Sequence, residues 1–295
     1  MKVKSTEATL ELKHEAILGE GPVWDEVEEK LYWVDILSGD LFIYSPRESK
    51  NTAYNVGAHL GAVALRRQGG LVMALQTGFA FFNPGEQRLT EVSDPESHLP
   101  GNRFNDGKCD PSGRFWAGTL SYELEEGAGN LYCLNSDLNV NLKLQSLTIP
   151  NGMVWNSGKD KFYFIDTPTR DICSFDYDGS SGEISSPEVI RSIDSSEGFP
   201  DGMTIDEEDG LWIALYGGGK VIRIDPVSGT TLFEIDLPAQ KITSCKFGGP
   251  GFDELYITTA REHMSEEEIT RIPLSGSLFK AKLPFRGKPV SRFAG

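Results

Sequence analysis

Apolar residues along the chain come in short runs bounded by Gly, Pro, Asp, Asn and Ser, and no long stretch carries the 3.6-residue apolar spacing of a helix. The clearest copy of the pattern opens on a carboxylate beside glycine, Asp201-Gly202, and passes into Met203-Thr-Ile205. After the turn Glu207–Gly210 the chain returns as Leu211-Trp-Ile-Ala-Leu215 and then as Lys220-Val-Ile-Arg-Ile224. The same order of polar start, apolar run, turn and aromatic-rich strand recurs six times. The first apolar residues of the second strands, Leu31, Leu71, Phe115, Phe162, Leu211 and Leu255, follow one another at steps of 40, 44, 47, 49 and 44 residues.

Repeats of this length, each carrying several short strands, predict an all-β six-bladed β-propeller, one domain over residues 1–295. Each unit can bury its faces only against its neighbours, so the ring must close. Segments such as Asn51–Val56, Thr90–Ser93, Asn141–Leu147, Glu188–Ile193 and Thr231–Asp236 supply the outer strands and leave the sixth blade one strand short. The alternating run Thr9–Glu15 precedes the first blade, so the N-terminal strand is expected to join the last blade and close the ring.

Counting back ten or eleven residues from each marker reaches Glu20, Gly61, Asn105, Asn151, Asp201 and Ser244. The first strand of a propeller blade lines the central channel, and all six start at the same face. Glu20, Asn105, Asn151 and Asp201 are therefore expected to meet at one mouth of the ring. Two carboxylates and two amides are hard oxygen donors that suit calcium, magnesium or manganese, with zinc also accepting oxygen. Asp106, next to Asn105, either orients that amide or stands at the cation itself. Asp110 and Asp206 follow the inner strands and read as turn formers. His59 and His98 precede blades two and three and read as loop residues, and His14 and His263 have no supporting context.

Composition narrows the partners. The formal net charge is −16, with 44 acidic against 28 basic residues, so the chain lacks the basic footprint that nucleic acid or an anionic membrane requires. The start, Met1-Lys-Val-Lys-Ser-Thr-Glu7, has no apolar core of a signal peptide, which places the chain in the cytoplasm. Four cysteines (Cys109, Cys133, Cys173 and Cys245) lie far apart and read as reduced thiols.

The phrases Gly19-Glu20-Gly21-Pro-Val-Trp24, Asn102-Arg103-Phe-Asn105-Asp-Gly107-Lys-Cys-Asp110, Asn151-Gly152-Met-Val-Trp155, Phe199-Pro-Asp201-Gly202 and Thr243-Ser-Cys-Lys-Phe-Gly-Gly249 resemble the SMP-30, regucalcin and gluconolactonase family over nearly the whole chain. That resemblance implies a six-bladed propeller that hydrolyses sugar lactones with one axial divalent metal ion polarising the lactone and activating water. It implies Glu20, Asn151 and Asp201 as metal ligands, Asp201 also as acid/base, and substrate contacts from Arg103, Asn105 and Glu123. Glu123 sits on the acidic insert Ser121–Gly129, whose content departs from some family members. Two other functions fit the same residues: a metal-dependent hydrolase of another ester or phosphotriester, and a non-catalytic calcium-binding regulatory protein. A closed ring leaves no edge for a partner to cover, so a monomer acting on a small sugar lactone is expected.

Overall fold

The computed structural model describes residues 3–295. Six sheets stand around a central axis, four of them running in chain order from an innermost to an outermost strand and two taking their outermost strand from the start of the chain. The innermost strands are Gly19–Asp25, Leu60–Leu65, Asn102–Cys109, Pro150–Trp155, Phe199–Ile205 and Ile242–Gly248, and each touches the next, the last closing onto the first. The predicted six-bladed propeller is the fold observed.

Six apolar clusters hold it together, one in each gap between neighbouring blades. Between the first and last blades Trp24 stacks on Tyr256 at 5.6 Å, so the point of closure is packed like any other gap. This is the physical content of the repeat, since each blade's apolar faces are buried only by its neighbours.

The chain's start does more than close the ring. Thr9–Leu12 pairs antiparallel with Leu278–Lys282 and completes blade six, as the alternating pattern predicts. Just before it, Lys4–Glu7 adds parallel to Thr231–Asp236 on the outside of blade five, a fifth strand that hairpin logic does not anticipate. One short run therefore ties two blades together. The C-terminal segment is a second tie: Gly287 bridges Asp206 of blade five, Phe293 bridges Arg66 of blade two, and Arg292 reaches Asp25 of blade one at 2.7 Å.

Asp110 and Asp206 are turn formers, as expected, and also the buried anchors of their blades. Asp206 accepts the Glu208 and Gly210 N–H groups on one oxygen, and Trp212 Nε1 (2.9 Å) and Arg223 Nε (2.6 Å) on the other. Asp110 repeats the arrangement in blade three with Ser112, Arg114, Trp116 and Tyr177. All four cysteines are free thiols. Among the described residues no helix is long and apolar enough to cross a membrane.

Candidate active site

Every innermost strand breaks its pairing at the level of the polar start. The ladders slip between Glu20 and Val23, Leu60 and Ala62, Phe104 and Gly107, Asn151 and Met153, Pro200 and Met203, and Ile242 and Ser244. A bulge re-aims a side chain and frees backbone from the ladder, which is why bulges collect beside functional sites. Here six bulges in one ring place Glu20, Asn105, Asp106, Asn151 and Asp201 together at one end of the channel, all buried. The glycine after each polar residue has a steric cause at two positions. A Cβ on Gly152 stands 2.6 Å from the Asp201 carbonyl oxygen, and a Cβ on Gly202 collides with the Ser244 side chain.

The amides belong to a directed chain of hydrogen bonds crossing three blades. Arg103 Nη1 donates to Asn105 Oδ1 (3.0 Å), and Asn105 Nδ2 donates to Asn151 Oδ1 (3.2 Å). Asn151 Nδ2 then donates to Thr167 Oγ1 (2.9 Å), whose hydroxyl donates to the Pro200 carbonyl (2.8 Å), one residue before Asp201. Every amide orientation in this chain is set by its donor and acceptor neighbours, and the Asn151 oxygen keeps a lone pair free. The Asn105 oxygen likewise accepts one hydrogen bond, but from the cationic Arg103 guanidinium, so Asn105 faces positive charge on its oxygen while its amide N–H group orients Asn151. Thr167, on the short 3₁₀ turn Thr167–Thr169, had no signal in the sequence.

The carboxylates are short of positive charge. Glu20 accepts the Gly21 N–H (2.7 Å) and Asp106 the Gly107 N–H (2.7 Å), and neither forms an ion pair among the described residues. Burial, reinforced by Asp106, pushes Glu20 up to about 8. Burial and the charges of Glu20 and Asp106 push Asp201 well above the ordinary carboxylate range. Burial raises Asp106 likewise, and Lys108 opposes the rise. No group of three His, Cys, Asp or Glu side chains stands at metal-holding distance among the described residues. The donor set is two carboxylates, Glu20 and Asp201, with the Asn151 amide oxygen, and unpaired buried carboxylates of this kind fit a hard divalent cation.

A second tier of side chains rings the mouth. Arg103 is buried, its Nε has no partner among the described residues, and its guanidinium lies 5.9 Å from the Tyr122 ring centroid. His59 stays on the loop before Leu60, as expected, and from there its Nδ1 lies 2.6 Å from the Tyr122 hydroxyl. His98 stays on an exposed loop, and His14 packs against Trp33 and Phe42. Glu262 accepts from the Tyr216 hydroxyl at 3.2 Å and adds its charge to the field at Glu20 and Asp201. Glu123 is exposed, with its backbone N–H donated to Ser121 Oγ, and its carboxylate makes no hydrogen bond or ion pair among the described residues. It is Tyr122, the residue before it and itself exposed, that reaches His59 and Arg103.

A closed six-bladed propeller with buried, cation-deficient carboxylates at one channel mouth defines a class of axial-site propeller proteins. Residues 18–261 match the model of the SMP-30/gluconolactonase/LRE-like region, and the chain belongs to that family. It is 41% identical over 289 residues, 98% of this chain and 99% of the other, to a Bacillus subtilis (strain 168) protein named "Putative sugar lactone lactonase YvrE". It is 39% identical to regucalcin of Xenopus laevis over 284 residues, 94% of this chain and 95% of that one. The solved structure of a calcium-binding protein, regucalcin, from Agrobacterium tumefaciens str. C58 superposes with a TM-score of 0.93 at 28% identity, covering 99% and 100% of the two chains.

Proposed function

We propose that the chain hydrolyses a sugar lactone at this mouth, with one divalent cation held by Glu20, Asn151 and Asp201. The observation that carries the reading is the pair of buried carboxylates without a cationic partner, set beside an amide oxygen that a directed hydrogen-bond chain holds in place. The names of the B. subtilis relative and of the family supply the substrate class. A divalent cation in this set supplies a Lewis acid for the lactone carbonyl and favours the ionised carboxylates.

Asp201 is the acid/base. Its carboxylate takes a proton as water attacks the carbonyl carbon, and returns it to the ring oxygen as the C–O bond breaks. Arg103, whose Nε is buried and unpaired, donates to the sugar's oxygens. Asn105 bridges Arg103 and Asn151, so a substrate drawn to Arg103 is registered against the ligand set. Glu123 meets the outer hydroxyls from the insert.

The test is turnover of gluconolactone and a panel of esters by the chelator-stripped chain, with calcium, magnesium, manganese or zinc added back in turn. Lactone hydrolysis that returns with a cation, and is absent in Asp201→Ala, is the expected outcome. Full activity in Asp201→Ala, or preference for a phosphotriester, overturns the reading.

A further inference from the structure

The channel continues past the carboxylates. On the side where the inner strands end, it widens into a cavity of ≈ 310 Å³ lined by residues of all six blades. The C-terminal segment Lys288–Ser291 forms one wall, on its way from blade five to blade two. Most of the remaining lining is apolar, with Val23, Val63, Val154 and Ile205 among it.

Into this apolar space converge Lys108, Lys246 and Lys288, and Lys159 stands on the rim. Lys108 Nζ donates to the Met203 carbonyl at 2.6 Å. Lys288 is paired with Asp209 at 3.0 Å and touches Ser157. Lys246, half-buried on the cavity wall, makes no hydrogen bond and no ion pair among the described residues. Its charged neighbours include Lys108 and Lys288, and burial together with that repulsion pushes it down to about 7. Among the described residues the one carboxylate on the cavity wall is Asp106, and it accepts the Gly107 N–H without forming an ion pair with any of these lysines.

Ammoniums drawn together in an apolar-walled cavity repel one another, and the low dielectric of those walls makes the repulsion more costly. In a chain of net charge −16 such a convergence is not a by-product of composition. The same walls strengthen the attraction of the ammoniums for any anion that enters.

We propose that this cavity binds a small oxyanion of the size of phosphate or sulfate, held by Lys246 and Lys108 with Lys288 at its edge. The site adjoins the carboxylate mouth through Asp106 and stands whether or not that mouth hydrolyses lactones. Titration of inorganic phosphate into the full chain, against sodium chloride at matched ionic strength, is expected to show saturable one-to-one binding and a raised melting temperature. Lys246→Met is expected to weaken phosphate about tenfold, as for a lost charge-assisted hydrogen bond. Lys288→Ala, at the edge, is expected to weaken it by about threefold through lost Coulomb attraction alone. Circular dichroism identifies the variants that fold. Absence of saturable phosphate binding to the wild-type chain, or unchanged affinity in every folded variant, overturns the proposal.

Discussion

At the scale of single residues, the mouth of the channel is a contest between burial and charge. Glu20 and Asp201 are desolvated and both stand in the field of Asp106, with Glu20 acting on Asp201 besides, so the folded chain without a cation holds protons that the unfolded chain releases. The sign follows directly. The unfolded Glu20 ionises near 4.5 and the folded one near 8, so the unfolded state binds fewer protons between those values and stability falls as pH rises through that window. Urea midpoints of the chelator-treated chain are therefore expected to fall from pH 5 to pH 8, and a saturating divalent cation should flatten the fall. A midpoint that rises with pH in the stripped chain contradicts this. Thr167 is the other residue-scale lever. Thr167→Val removes the acceptor that fixes the Asn151 amide, and loss of such an outer partner costs about 10–100-fold in metal affinity. Calorimetric titration with calcium measures it, and an unchanged affinity removes Thr167 from the account.

At the scale of elements, the ring of bulges turns a repeated phrase into a site. The order of polar residue, glycine and apolar run was legible in the sequence because it recurs at matching distances from the second strands. The bulges themselves were not, since a slipped ladder leaves the alternation on either side intact. The roles inside the set shifted for the same reason. Asn105 counted as a donor equal to Asn151 until the side chains showed its oxygen facing the cationic Arg103 guanidinium. The turns after the inner strands are where blades are individually anchored. Asp206 joins a buried arginine, an indole and two backbone N–H groups, so Asp206→Ala strands Arg223 without its main partner. A loss of about 3–5 kcal/mol is expected in urea denaturation, the range for breaking a buried pair. A loss below about 1 kcal/mol, typical of exposed pairs, contradicts the anchoring role.

At the scale of the whole molecule, the two chain ends work as ties. The alternating Thr9–Glu15 run announced the closing strand of blade six, because an outward-polar edge strand has a recognisable pattern. Its parallel extension along blade five carries no hairpin signal, and the C-terminal Gly-, Pro- and Lys-containing tail has too few apolar residues to announce its path. Removal of residues 1–12 uncovers the outer edges of blades five and six. It is expected to lower the melting temperature by about 5 °C or more, given the few degrees that each kcal/mol shifts a chain of this size. An unchanged melting temperature shows that packing between Trp24 and Tyr256 closes the ring unaided.

The central claim is that Glu20, Asn151 and Asp201 together hold one divalent cation. Isothermal titration of calcium into the chelator-stripped chain, beside Asp201→Asn, tests it without reference to any substrate. One site per chain in the wild type, lost or weakened at least tenfold in the variant, is the expected result. Stoichiometric binding that survives Asp201→Asn unchanged, or no binding of calcium, magnesium, manganese or zinc to the wild type, contradicts it.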